Sequence, residues 1–259
     1  MGSLSARALA GLPELRSGDD LAALIALAAR QSREPLRDDR LLVIAHKAVS
    51  KCEGAVVQLS HVRASRRAVE LAVEAEAATG QPRDPRAVQV VLDESSEIVR
   101  AERGVLICRT NSGFVCANAG VDASNVADDD TVVLLPRDPD RSARAIRARL
   151  SELTGAHVAV LITDTFGRAW RHGQVDVAIG LAGMQPLDDW RGRSDARGAQ
   201  LRATWLAVAD AAAAIGELVR AKDSREPVAV VDGLDRYLTD DDGPGATALL
   251  RALDEDLFR

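Results

Sequence analysis

Short runs of Val, Ile and Leu alternate along this chain with longer segments rich in Ala, Leu, Arg and Glu. Each strand-like run and each helix-like segment carries an apolar surface that must be covered, and packing the two kinds as layers covers both. The expected fold is α/β of the mixed α+β kind, with helices packed around a mixed sheet. Asp19-Asp20 supplies an N-cap ahead of Leu21 to Arg30, where apolar residues recur at helical spacing. Leu41 to Ala45 reads as a buried strand running into His46 to Lys51, and Arg63 to Thr79 as a helix. Val88 to Leu92, Gly104 to Cys108 and Phe114 to Cys116 read as strands, the last two joined by a turn at Thr110 to Gly113, which predicts an antiparallel part of the sheet. Asp140 to Gly155 reads as a helix, His157 to Ile162 as a strand, and Ala199 to Arg220 as one long Ala-rich helix. Val228 to Val231 is the last expected strand, before a polar loop at Asp240 to Pro244 and a short terminal helix.

A chain of 259 residues, 47% hydrophobic and 28% charged, can bury a sizeable core. The expectation is a single domain over residues 1–259, open to division into two subdomains with a cleft between them. A net charge of -6 gives no general attraction to polyanions, so nucleic acid is not an expected partner. Met1 to Leu15 lacks the basic and apolar parts of a leader, and no window approaches the ~20 apolar residues that span a bilayer. No membrane association and a cytoplasmic location are expected. Cys52, Cys108 and Cys116 are odd in number and lack CxxC spacing, which argues against a disulfide framework and a zinc site. They read as buried small hydrophobes.

Several clusters carry residue types suited to phosphate chemistry. Ala117 to Val126 places small residues around Asp122 and Asn125 directly after a strand. Asp122 is a hard oxygen donor suited to Mg²⁺ or Mn²⁺, and Asn125 can bind a phosphate or a nucleotide edge; a plain Asx turn fits the same residues. Asp164-Thr165 is followed by Phe166-Gly167-Arg168, Trp170-Arg171 and Gly173-Gln174. Read as one short loop, it offers metal-binding oxygens and two guanidinium forks together, a combination that suits phosphoryl transfer, with surface ion pairing as the plainer alternative. Lys47 and Lys51 flank Ser50 after a strand and can contact phosphates or be solvated. The charged stretch Asp188 to Asp195 fits a substrate loop or a solvated one equally. GxxxxGK[ST], GxGxxG and HExxH segments and a Ser/His/Asp grouping are all absent, so neither a P-loop nor histidine-based catalysis is supported.

Taken in order, these segments resemble the coenzyme F420-0:L-glutamate ligase family. The likeness rests on Gly11 to Glu14 with Gly18 to Leu21, Val49 to Gly54, Ala119 to Val126, and Ile162 to Arg171 with Gly173-Gln174. Arg191-Gly192, Asp195, Gly198, Ala207 to Asp210 and Pro227 to Val231 extend it. The resemblance implies an intertwined homodimer and a ligase standing alone, without the nitroreductase-like domain fused to some relatives. It implies two divalent ions, Mg²⁺ or Mn²⁺, held by Asp122, Asp164 and Thr165, and admits K⁺ beside them. GTP would be contacted by Leu12, Pro13, Glu14, Leu15, His46, Lys51 and Asn125, and covered by a stretch beginning Arg220, Ala221, Lys222. Asp164, Arg168 and Arg171 would act on the reacting groups. The implied reaction is phosphorylation of the terminal carboxylate of coenzyme F420-0 by GTP, followed by attack of the L-glutamate amine on the acyl phosphate. Further glutamates would add through γ-linkages. The chain departs from the family at His46, Trp205, Ala211 and Asp232. An amide ligase for another phosphorylated carboxylate, or a nucleotide- and metal-binding protein without ligation, also fits these residues.

Overall fold

The computed structural model of the protein describes residues 3–32, 35–123 and 130–256. In chain order its strands are β1 Ser5–Ala8, β2 Arg40–Ala45, β3 Val56–Gln58, β4 Ser95–Glu102, β5 Val105–Thr110, β6 Val115–Ala117, β7 Thr131–Val133, β8 Ala159–Arg168, β9 Arg171–Ala182, β10 Leu187–Asp189, β11 Trp205–Ala207 and β12 Val228–Asp232. The helices are α1 Leu21–Gln31, α2 His46–Glu53, α3 Arg66–Thr79, α4 Pro85–Asp93, α5 Pro139–Thr154 and α6 Val208–Val219. The expected mixed α/β architecture is present. Its main sheet has the order β1-β12-β2-β8-β9, in which β2 and β8 run parallel and the other neighbours antiparallel.

The apolar runs of β2 and β8 are unbroken because both faces of this sheet are covered. Leu42, Ile44, Val160 and Ile162 point to a layer formed with Leu21 and Ile25 of α1 and Ile146 and Leu150 of α5. Their neighbours Leu41, Val43, Ala159 and Leu161 point to the opposite face, against Val208, Ala209, Ala212 and Ala213 of α6. A further core joins α3, α4 and β5 through Leu71, Ala72, Val88, Val91 and Cys108. It packs beside the antiparallel sheet β4-β5-β6. Among the described residues no helix is long and apolar enough to cross a membrane.

The chain brings α5 against β9 so closely that a Cβ at Gly180 would overlap the backbone carbonyl of Pro139. Backbone does not rotate aside as a long side chain can. Gly180→Ala is therefore expected to cost about 1–3 kcal/mol, read as a lowered midpoint in denaturant unfolding at unchanged m-value.

The sequence expectations fail at particular elements. Val88 to Leu92 is helical, inside α4: Asp84 accepts from the Arg86 amide and Pro85 opens the helix, and Val88 and Val91 fall on one buried side. The capping signal outweighs the β-branched composition. The strand that pairs with β5 is β4. The long helix expected over 199–220 begins only at Val208, because Trp205–Ala207 pairs with Leu187–Asp189 as a two-stranded ribbon. Here strand pairing overrides a helix-favouring composition. Cys108 and Cys116 are buried as expected, whereas Cys52 is half-exposed.

Candidate active site

The site lies where β2 stops. Parallel pairing between β2 and β8 ends at Ala45 and Thr163, and the chain turns directly from Ala45 into α2. Asp164 and Thr165 therefore continue along β8 past the end of its parallel partner, and Asp164 lies beside the first turn of α2. In sheets with parallel strands, ligands gather at such carboxyl ends. Ala45 caps α2 without a side-chain acceptor, so no side-chain cap bonds the leading amides of that helix.

Two consecutive residues in this first turn reach the two aspartates expected to bind metal. The buried His46 ring has Nε2 3.2 Å from Asp164 Oδ1, and Lys47 Nζ is 2.7 Å from Asp122 Oδ2. Asp164 Oδ1 also accepts from the Thr165 amide at 2.7 Å. Asp122 is fixed by backbone bonding to Val133 in both directions, at 3.0 and 2.8 Å. The turn ahead of it, Asn118 to Gly120, is left-handed throughout, and a Cβ on Gly120 would come within 2.6 Å of the Leu135 side chain. Arg83 Nη2 donates to Asn118 Oδ1 at 2.6 Å and braces this turn from the α3–α4 connection. Asn125 lies outside the described residues.

Thr165 belongs to a second, buried network that sequence reading passed over. Asp176, opposite Thr165 on β9, accepts from Thr163 Oγ1 at 2.8 Å, Thr165 Oγ1 at 2.6 Å and Arg220 Nη2 at 2.5 Å. Arg220 is held further by the carbonyls of Gly216 and Pro227, at 3.2 and 3.0 Å. Its guanidinium is thus committed to the sheet end. Lys222 Nζ donates to Thr165 Oγ1 at 2.8 Å, while Ala221 is exposed beside it. An acid between Val175 and Val177, in what is otherwise an apolar run, was the one available sign that Asp176 has a buried partner.

The other expected residues fall into two groups. Lys51 Nζ lies 2.7 Å from Glu14 Oε1, and that bond, aided by Arg225 and Arg16, holds the Glu14 carboxyl below its ordinary range. Leu15 is buried and Leu12 partly buried in the core, which anchors the segment while Pro13 and Glu14 face outward. The N-terminal segment, Lys51 and the 220–227 stretch are in this way brought to one region. Arg168 and Arg171 are not brought to Asp164. The expected loop is a β-hairpin in which Arg168 pairs with Arg171 across a two-residue turn. Four residues at ~3.3 Å each put Arg168 about 13 Å along the strand from Asp164. Arg168 donates to the His172 carbonyl at 2.6 Å, and Trp170 at the tip is 82% exposed.

The charged stretch at Asp188 to Asp195 is bonded internally and to its neighbours Trp205 and Arg236. Arg191 bonds Asp189 and lies 3.9 Å over the Trp205 ring, and Asp188 accepts from the Trp190 indole at 2.8 Å. The cysteines offer no nucleophile: burial pushes the Cys116 thiol up to about 12, with Asp164 adding to it. Cys52 is likewise pushed up to about 11 by burial and nearby Asp19 and Glu53.

A model of the F420-0:Gamma-glutamyl ligase family matches residues 11–233. The chain is 42% identical over 250 residues to a Coenzyme F420:L-glutamate ligase from Methanothermobacter thermautotrophicus, covering 96% of each chain. It is 44% identical over 248 residues to one from Methanopyrus kandleri, covering 95% of this chain and 94% of that one. Against one from Halobacterium salinarum the identity is 40% over 257 residues, covering 99% of this chain and 96% of the relative. With a family match over most of the chain and identities of this size across nearly its whole length, the chain belongs to the F420-0:gamma-glutamyl ligase family.

Proposed function

We propose that this protein is a GTP-dependent ligase that joins L-glutamate to coenzyme F420-0 and extends the product through γ-linkages. The observation that carries the reading is the pairing of consecutive residues His46 and Lys47 with Asp164 and Asp122, which brings two carboxylates from segments distant in sequence to one helix start. Family membership gives the substrate class, since the relatives are named coenzyme F420:L-glutamate ligases.

Among the described residues no three His, Cys, Asp or Glu side chains are gathered as an ion's complete ligand set, so a hard divalent ion here would be held by two carboxylates and a hydroxyl with phosphate oxygens completing the shell. Asp122 and Asp164 supply carboxylate oxygens, Thr165 a hydroxyl, and the nearby ammonium of Lys47 is a cation that an ion of higher charge can replace at Asp122. Asp122 and Asp164 would hold one Mg²⁺ or Mn²⁺ and Thr165 a second, with K⁺ admitted beside them. When bound, such ions neutralise charge on the triphosphate and on the transferred phosphoryl group. The leading amides of α2, without a side-chain cap, would suit a phosphate or carboxylate oxygen. Lys51 and Lys222 add positive charge on either side, and Glu14 and Arg225 flank the place where GTP would enter.

In the first step a carboxylate oxygen of coenzyme F420-0 attacks the γ-phosphorus of GTP, and the bond to the β-phosphate oxygen breaks to release GDP. In the second the glutamate amine attacks the acyl carbon, loses a proton, and expels inorganic phosphate carrying the former carboxylate oxygen. No protein nucleophile is required, in keeping with the raised thiols. An ¹⁸O-labelled coenzyme carboxylate is therefore expected to deliver one ¹⁸O to phosphate per amide formed. Unlabelled phosphate alongside amide product would rule out the acyl-phosphate route.

The homodimer is part of the same proposal. The β8–β9 hairpin carries Arg168, Trp170 and Arg171 away from the protomer's own aspartates, a form suited to an arm that packs on a second copy. Light scattering is expected to give twice the chain mass, and a monomer active in the ligase assay would refute it.

A further inference from the structure

We infer that Arg83, in the connection between α3 and α4, is a positioning residue for Asp122: it clamps the turn that delivers this carboxylate to the start of α2. The inference rests on the role that the proposed function gives Asp122. That turn, Asn118 to Gly120, has φ of 52°, 53° and 71°. Glycine adopts the left-handed region freely and Asn tolerates it, whereas Ala119 is strained there. Backbone of this kind persists only where its surroundings over-determine it, and it gathers at functional sites.

Two holds are present. Ala119 is 2% exposed and packs in the core with Leu71, Val88 and Cys108. Arg83 supplies the other: Nη2 donates to Asn118 Oδ1 at 2.6 Å, and Nη1 donates to the Gly104 carbonyl. Gly104 and Arg103 form the β4–β5 turn and are left-handed too, with φ of 76° and 52°. One planar fork thus ties two such turns together, a reach that a single ammonium does not have.

The charge of Arg83 contributes little stability for its own sake. The side chain is partly buried, burial pushes its guanidinium below the ordinary range, and among the described residues no carboxylate pairs with it. A desolvated cation on two neutral acceptors is a weak stabiliser. What the clamp does fix is the path of the chain. The Val121 amide donates to the Asn118 carbonyl at 2.9 Å, and Asp122 exchanges backbone bonds with Val133 directly afterwards. The clamped turn and this bridge hold Asp122 where its Oδ2 lies 2.7 Å from Lys47 Nζ.

The test compares Arg83→Met, Arg83→Lys and Asn118→Gly in the full-length protein. Arg83→Met removes the clamp and should lower the unfolding midpoint. Asn118→Gly removes the acceptor while easing the left-handed turn, so its midpoint should stay near that of the wild type. Both should nevertheless lower kcat for glutamate-dependent GDP formation by about 10²-fold at little change in KM for GTP, the signature of a displaced group. Arg83→Lys can still donate to Asn118 and should keep most of the turnover. Hydrogen exchange over residues 117–122 should rise in Arg83→Met and Asn118→Gly, with β2 and β8 unchanged. Wild-type kcat in Asn118→Gly, or exchange there that does not rise, would overturn the inference, and Asn118→Gly decides it even where Arg83→Met fails to fold. A wild-type protein that forms no glutamate-dependent GDP would overturn the proposed function instead, and the exchange measurement would still decide whether the clamp holds Asp122.

Discussion

Asp164→Asn is expected to lower glutamate-dependent GDP formation by at least about 10³-fold, because under the proposed function it removes one of the two carboxylates that would hold the divalent ion. The substitution keeps the shape of the side chain, and its amide oxygen can still accept from the Thr165 amide as Asp164 Oδ1 does at 2.7 Å. Stability should therefore change by no more than about 1 kcal/mol. The loss should appear in turnover and in Mn²⁺ affinity together. A variant that binds metal and turns over at the wild-type rate would show that the site is centred elsewhere. Asp122→Asn should act in the same direction, since Lys47 then faces an amide in place of its 2.7 Å carboxylate partner.

The second large effect concerns folding. Arg220→Met should destabilise the protein by about 3–5 kcal/mol, because it leaves Asp176 as an uncompensated buried carboxylate. The side chains of this pair are only 7% and 6% exposed, so solvent cannot replace the missing partner. The hydroxyls of Thr163 and Thr165 would remain as donors, but neither carries charge. Asp176→Leu combined with Arg220→Met should recover much of the loss, since replacing a whole buried pair by apolar groups is far cheaper than breaking it. Urea unfolding of the two single variants and the double gives the coupling directly. Additive losses would mean that the pair is not a unit. The position of this pair beneath Thr165 links fold to function, as the hydroxyl expected at a metal is oriented by Asp176 on one side and Lys222 on the other.

Much of the main sheet was legible because β2, β8 and β12 each contain an unbroken apolar run, and only a sheet covered on both faces asks for those. β9 was not, since Asp176 and Gly180 interrupt its pattern and each acquires its reason only from a partner far away in sequence, Arg220 and Pro139. Val88 to Leu92 misled through composition, although Asp84-Pro85 announced a helix. In the site, the aspartates and Lys51 stood out as charges after strands. Their relation to His46 and Lys47 did not, because it depends on α2 starting beside the end of β8, a fact of sheet order that no local pattern contains. The block from Asp164 to Arg171 was read as one loop holding both signs of charge. As a hairpin it separates them, and the arginines need a second copy or an extended substrate to meet the carboxylates.

The departures noted at Trp205 and Asp232 also find local explanations. Trp205 carries the Arg191 guanidinium on its ring at the edge of the β10–β11 ribbon. Asp232 ties three segments together, with Arg7 at 2.6 Å, Arg40 at 3.0 Å and Arg37 at 3.3 Å. Neither arrangement involves Asp122, Asp164 or Thr165. Nothing in the structure explains Ala211.

The central claim is tested most directly by incubating the purified protein with GTP, Mn²⁺ or Mg²⁺, L-glutamate and coenzyme F420-0, and following coenzyme mass and GDP together. The account predicts successive mass gains of one glutamyl residue, one GDP per residue added, and neither product when the divalent ion is chelated. An unchanged coenzyme mass with no glutamate-dependent GDP would contradict it.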